Sequence, residues 1–139
     1  MISQTTLSFR TRGRGTTNIT SEVAKAVAAS GVRTGLCTAF VQHTTASLIL
    51  CENADADVRH DLETLFARLA PDGDPAWRHD TEGPDDMASH ARSILAGSTI
   101  TVPVSEGKLA LGTWQGIYLW EHRQAAHERT VIVTVMGEK

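Results

Sequence analysis

Several features that announce a protein class are scarce in this sequence. It has two cysteines in 139 residues, Cys37 and Cys51, and no CxxC, which excludes a disulfide scaffold or a cysteine-built metal knot. Both lie in apolar runs and read as reduced core residues. Aromatics make up 5% of the chain and the net charge is −3, so no broad basic surface for nucleic acid is expected. No apolar run reaches the roughly 20 residues of a membrane span, so no membrane partner is expected. Met1-Ile2-Ser3-Gln4 leads into a strand-like pattern without a basic n-region or apolar h-region, which makes the cytoplasm the expected location. GxGxxG and GxxxxGK[ST] are both missing, which disfavours a doubly wound nucleotide fold.

What is present suits one globular domain over residues 1–139, with 41% apolar and 21% charged residues. Ile2 to Arg10 alternates loosely, with Leu7 and Phe9 on one face, as an opening strand. Thr11-Arg12-Gly13-Arg14-Gly15 breaks it; an exposed turn is the plainer reading, although arginines between glycines can grip an anion. Ile19, Val23 and Val27 predict a helix near 20–30, capped by Asn18 or Thr20 and stopped at Gly31. Thr34 to Gln42 is apolar on both faces, as in a strand buried on two sides. After it come His43-Thr44-Thr45-Ala46-Ser47 and the apolar run Leu48 to Cys51.

A second helix opens at Glu52 to Asp57, with Val58, Leu62, Leu65, Phe66 and Leu69 as its apolar stripe and Pro71 at its end. A third begins at Pro84-Asp85, with Asp85 as N-cap, a buried stripe of Met87, Ala91, Ile94 and Leu95, and Gly97 closing it. Thr99 to Val104 alternates, Ser105-Glu106-Gly107 signals a hairpin, and Lys108 to Trp120 returns with interruptions near Gly112 and Gly116. Thr130 to Met136 is the last strand. Strands outnumber helices without regular alternation, which predicts an α+β fold: an antiparallel β-sandwich-like core with about three flanking helices.

The segment from Trp77 to His90 holds two imidazoles and several carboxylates that a packed core does not require. Asp86 and His90 are four residues apart and share a helix face, so Asp86 can orient the imidazole. His43, His79 and His90 come from a strand end, a loop and a helix. Three imidazoles with one open position are a known catalytic metal arrangement, but no local motif such as HExxH supports it here. Spacing leaves two rivals open: Asp85 and Asp86 holding Mg²⁺, or His43 activating Ser47 or Thr44 without a GxSxG elbow.

Four runs taken together resemble the YjbQ family, small single-domain proteins also called secondary thiamine-phosphate synthases. They are Phe40 to Leu48, Glu52-Asn53-Ala54-Asp55, Gly83-Pro84-Asp85-Asp86-Met87 with His90, and Leu109 to Leu119 with Glu121-His122-Arg123. The resemblance implies a β-rich homotrimer with a polar cleft. It also implies a weak transferase activity that joins hydroxymethylpyrimidine pyrophosphate to thiazole phosphate and releases pyrophosphate. On this reading His43, His79 and His90 hold a divalent metal, Zn or Mg. Asp85, Asp86 and Glu121 are the catalytic carboxylates, and Thr44, Thr45, Gln115 and Arg123 contact the ligand. The alternatives are a trimeric, non-catalytic binding protein for a small phosphorylated metabolite, or a metal-dependent hydrolase.

Overall fold

A computed structural model describes residues Met1 to Lys139. Its elements in chain order are β1 (Ile2–Arg10), β2 (Gly15–Asn18), α1 (Thr20–Ser30), β3 (Thr34–Val41), β4 (Ala46–Glu52) and α2 (Ala56–Leu69). Then follow α3 (Asp86–Ala96), β5 (Thr99–Ser105), β6 (Lys108–Leu109), β7 (Gln115–Glu121) and β8 (Glu128–Glu138). Five strands form a sheet in the order β1-β8-β3-β5-β6, and three form another in the order β2-β7-β4. Every pairing is antiparallel, so the fold is α+β with three helices.

The core lies between the two sheets and α1. Val131, Val133 and Val135 of β8 meet Cys37, Ala39 and Val41 of β3 and Leu48, Ile117 and Leu119 of the smaller sheet. Burial raises the Cys37 thiol to about 11, so it stays a thiol in this packing. Val23, Ala26 and Val27 face this core, and α1 stops where Gly31 turns left-handed at φ 73°. The N-cap of α1 is Ile19, without a side-chain capping bond, rather than Asn18 or Thr20, but Asn18 Oδ1 one residue earlier accepts from the Thr20 amide at 3.0 Å. The hairpin between β5 and β6 turns through Glu106 and Gly107, both at positive φ.

Three burial patterns differ from the sequence reading. β3 is buried on one face only, with Leu36 and Phe40 46% and 43% exposed on the outer side of the large sheet. On α2 only Phe66 is buried, and Val58, Leu65 and Leu69 are exposed. On α3 the expected stripe is reversed: Ile94 is 84% exposed, while Ser89, Arg92 and Ser93 face inward. These serines and the arginine have polar partners beneath the helix. Ser89 Oγ lies 2.8 Å from the His122 carbonyl oxygen, and Arg92 pairs with Glu63, which also accepts from Trp120 Nε1 at 2.8 Å. Hydrophobic periodicity cannot reveal a helix whose inner face is satisfied by hydrogen bonds.

Candidate metal centre

The segment between α2 and α3 contains no helix or strand, yet it is tied down. Trp77 Nε1 donates to the Pro71 carbonyl at 3.1 Å, and the Gly73 amide donates to the Pro84 carbonyl at 2.8 Å. This carries His79 back over the first turn of α3. There His79 Nε2 lies 2.6 Å from Asp86 Oδ2, and His90 Nε2, one turn on, lies 3.4 Å from the same oxygen. One ligand atom from each of His79, Asp86 and His90 lies within 4.8 Å of the others. Asp86 is 4% exposed, and its second oxygen accepts from Arg123 Nη1 at 2.7 Å, which fixes the carboxylate.

Donor spacing suits a metal ion. Tetrahedral ligands at ~2.0 Å from an ion sit about 3.3 Å apart. His90 and Asp86 already have that separation, and His79, half-exposed on a loop, needs to withdraw by less than ~1 Å. Two imidazoles and one carboxylate favour zinc-class ions over Mg²⁺, which prefers oxygen alone.

The remaining site residues divide. His43 stands apart from the cluster, because its Nε2 accepts the Thr130 amide at 2.8 Å and its neutral ring therefore carries a proton on Nδ1. Burial, and then the charge of Arg129, hold its pKa below the ordinary histidine value. His43 instead lines a cavity of about 330 Å³ with Thr44, Ser93 and Ile94, and this cavity meets the cluster at His90.

Asp85 stands at the N-cap position of α3, as expected, but its side chain makes no capping bond. Its carboxylate accepts from the Gln124 amide at 2.8 Å and from Arg123 Nε at 3.0 Å. Burial would raise its pKa, but these two donors outweigh it and hold the group below the usual carboxylate range. Arg123 donates to Asp85, Asp86 and the Glu82 carbonyl, so it braces the carboxylates while still lining the cleft beside them.

Glu121 is buried beneath the cleft and paired with Arg129, and it also accepts from Thr11 Oγ1 at 2.7 Å. Burial would raise its pKa, but Arg129, Thr11 and the Arg123 amide hold it ionised below the ordinary range. Arg129 also reaches Thr45, which ties this brace to the cleft that Thr45 lines. Ser47 and His122 are 2.7 Å apart but wholly buried, so no substrate reaches that serine. Gln115 sits at the opposite end of β7, paired with Glu52 while Glu121 pairs with Ala46, and its side chain accepts from the Gly112 amide. It lies outside the cleft.

Thr44, Thr45, His79, Asp86, His90 and Arg123 line one cleft of about 360 Å³. His127 shares it, and the sequence reading passed over that residue. Its Nδ1 donates to the Ala125 carbonyl at 2.8 Å, which leaves Nε2 as the basic nitrogen of the neutral ring. A lone histidine in a polar loop carries no periodic signal; only the return of β8 places it opposite α3.

Sequence and structure comparisons agree on what this chain is similar to. The chain is 52% identical to a UPF0047 protein of Synechocystis sp. over 97% of its length and 92% of the relative's. It is 43% identical to UPF0047 protein YjbQ of Escherichia coli O157:H7, covering 97% and 98%. A YbjQ-like protein of unknown function from Sulfolobus solfataricus P2 superposes with a TM-score of 0.87 at 27% identity, over 99% of this chain and 100% of that one. A YjbQ/UPF0047 family protein from Clostridium acetobutylicum gives 0.87 at 35%, over 95% and 99%.

These relatives correct the expected activity. Their names carry no thiamine-phosphate synthase or other transferase function, and the Sulfolobus protein is described as of unknown function, so the family brings no such assignment to this chain. The family model described as UPF0047 protein YjbQ-like matches residues 5–138, and the chain belongs to that family.

Proposed function

We propose that this protein is a metal-dependent enzyme whose centre is His79, Asp86 and His90, holding one divalent zinc-class ion and acting on a small phosphorylated metabolite in the adjoining cleft. The observation that carries this is the convergence of three ligand atoms from a braced loop and a helix within 4.8 Å. When bound, such an ion supplies Lewis acidity toward an oxygen of substrate or water. The chain's own residues do the rest. Asp86 is held in register by Arg123, and His127 offers a basic nitrogen to the same cleft, positioned to take a proton. Thr44 lines both cavities. Arg123, which braces Asp85 and Asp86, also lines this cleft and brings positive charge to it for an anionic substrate. The activity fitting these parts is attack by water on a small electrophile.

The test is metal analysis of protein purified without an affinity tag. Wild type is expected to carry about one equivalent of zinc-class metal, and His90→Ala and Asp86→Ala less than a tenth of that. Cobalt substitution should give visible absorption bands in wild type that both variants lose. Equal metal content in wild type and His90→Ala removes the centre from this protein.

A further inference from the structure

The motif Arg12-Gly13-Arg14-Gly15, unused by the metal centre, borders a separate cavity of about 430 Å³ with no hydrophobic residue in its wall. Arg10, Arg12, Arg14 and Thr16 stand in its wall. Gly13 and Gly15 have no side chains, so what they present to the cavity is backbone. The amides of Arg12, Gly13 and Arg14 donate to no acceptor in the protein, although the neighbouring Thr11 amide donates to the His127 carbonyl.

This loop is built rather than loose. Thr11 is buried and bonded to Glu121. Gly13, at φ 111°, lies so close to the Gln124 carbonyl oxygen that any Cβ would overlap it. Arg14 is locked by Nε donating to the His122 carbonyl at 2.7 Å and by a two-pronged pair with Asp72 at 2.8 and 2.9 Å. Arg10 and Arg12 form no ion pair, although Glu128 stands across the ladder from Arg10; its carboxylate accepts from Ser8 instead. Unpaired backbone amides in a bend, beside two unpaired guanidiniums, are the components of an oxyanion cradle.

We propose that the Arg12 to Gly15 loop binds a phosphate group, held by the amides of residues 12 to 14 and by the guanidiniums of Arg10 and Arg12. Arg14 fixes the loop and lends little net charge, since Asp72 neutralises it. The site shares no lining residue with the metal cleft, so it stands or falls apart from the proposed metal chemistry.

The experiment is a titration of the full-length protein with inorganic phosphate and, separately, methyl phosphate at constant ionic strength, followed by amide NMR. Saturable shifts are expected at Gly13 and Gly15, with affinity weakened at least tenfold in the double variant Arg10→Ala/Arg12→Ala and retained in His90→Ala. Arg10→Lys/Arg12→Lys, which keeps the charge but loses the fork, should fall between them. Tighter binding of the ester identifies an esterified ligand and equal binding the free ion; either sustains the site. Absence of shifts at these glycines, or undiminished affinity in the double alanine variant, overturns it.

Discussion

His122 has no exposed surface, and its Nδ1 meets no partner. Its Nε2 is 2.7 Å from Ser47 Oγ, and its ring packs on Trp120 at 4.9 Å between centroids. Burial, followed by the charges of Arg92, Arg14 and Arg129, lowers its pKa to about 3. The unfolded chain would protonate this ring near the ordinary value of about 6.5. Between those two values the unfolded state binds more protons than the folded state, so stability falls as pH falls through 6.5 and continues to fall until about 3. The group should contribute at most about 1.4 kcal/mol per pH unit inside that window. Urea denaturation between pH 7 and 5 should therefore show a shallower acid slope for His122→Gln than for wild type. Equal slopes would mean that the ring is not held neutral. Glu121 acts in the same acid region: with its pKa depressed, it stabilises above the ordinary carboxylate value and loses that contribution as pH drops through the folded one.

At the scale of elements, α3 unites fold and site, and its inner face shows where sequence reasoning stops. The spacing of Asp86 and His90 was enough to put them on one face, and the start of the helix near Pro84-Asp85 was legible from its residues. Which face turned inward was not. The apolar residues Ile94 and Leu95 suggested one side, but the polar acceptors waiting just after β7 and on α2 selected the other. Likewise, no pattern within Gly15 to Asn18 marked it as a strand, because its structure comes from pairing with Tyr118 to Glu121. Tertiary partners distant in sequence decide both cases. Ser89 tests the polar face directly. Wholly buried, its Oγ sits 2.6 Å from the Asp85 carbonyl and 2.8 Å from that of His122, tying the helix start to the end of β7. Ser89→Ala should cost about 0.5–1.5 kcal/mol in urea denaturation, because it removes one buried hydroxyl donor while the two carbonyls keep the Ser89 amide and Arg14 Nε. A loss below ~0.5 kcal/mol would mean that α3 is held by something other than this bond.

For the molecule as a whole, no helix is long and apolar enough to cross a membrane. The outer face of the five-stranded sheet nevertheless carries an apolar cross-strand row toward one end. Ile2, Met136 and Leu36 are cross-strand neighbours on β1, β8 and β3, and they are 69%, 48% and 46% exposed, with Phe40 further along β3. Around them stand Gln4, Thr134, Thr38 and Thr101, so the centre of the face carries no charge to resist association. A face of this kind is what an interface between copies uses. The homotrimer expected from family resemblance remains our proposal, and this face is its strongest support. Light scattering at working concentration should give three times the 15.0 kDa chain mass for wild type. Leu36→Glu/Met136→Glu, which places charge on exposed positions that the monomer's core does not use, should give a folded monomer. A monomeric wild type refutes the assembly, and a trimer that survives the double substitution moves its interface off this sheet. Metal content measured on the same samples links the two scales. The ligands all come from one chain, so the monomeric variant should keep its metal, and loss on dissociation would show that a neighbouring subunit closes the cleft.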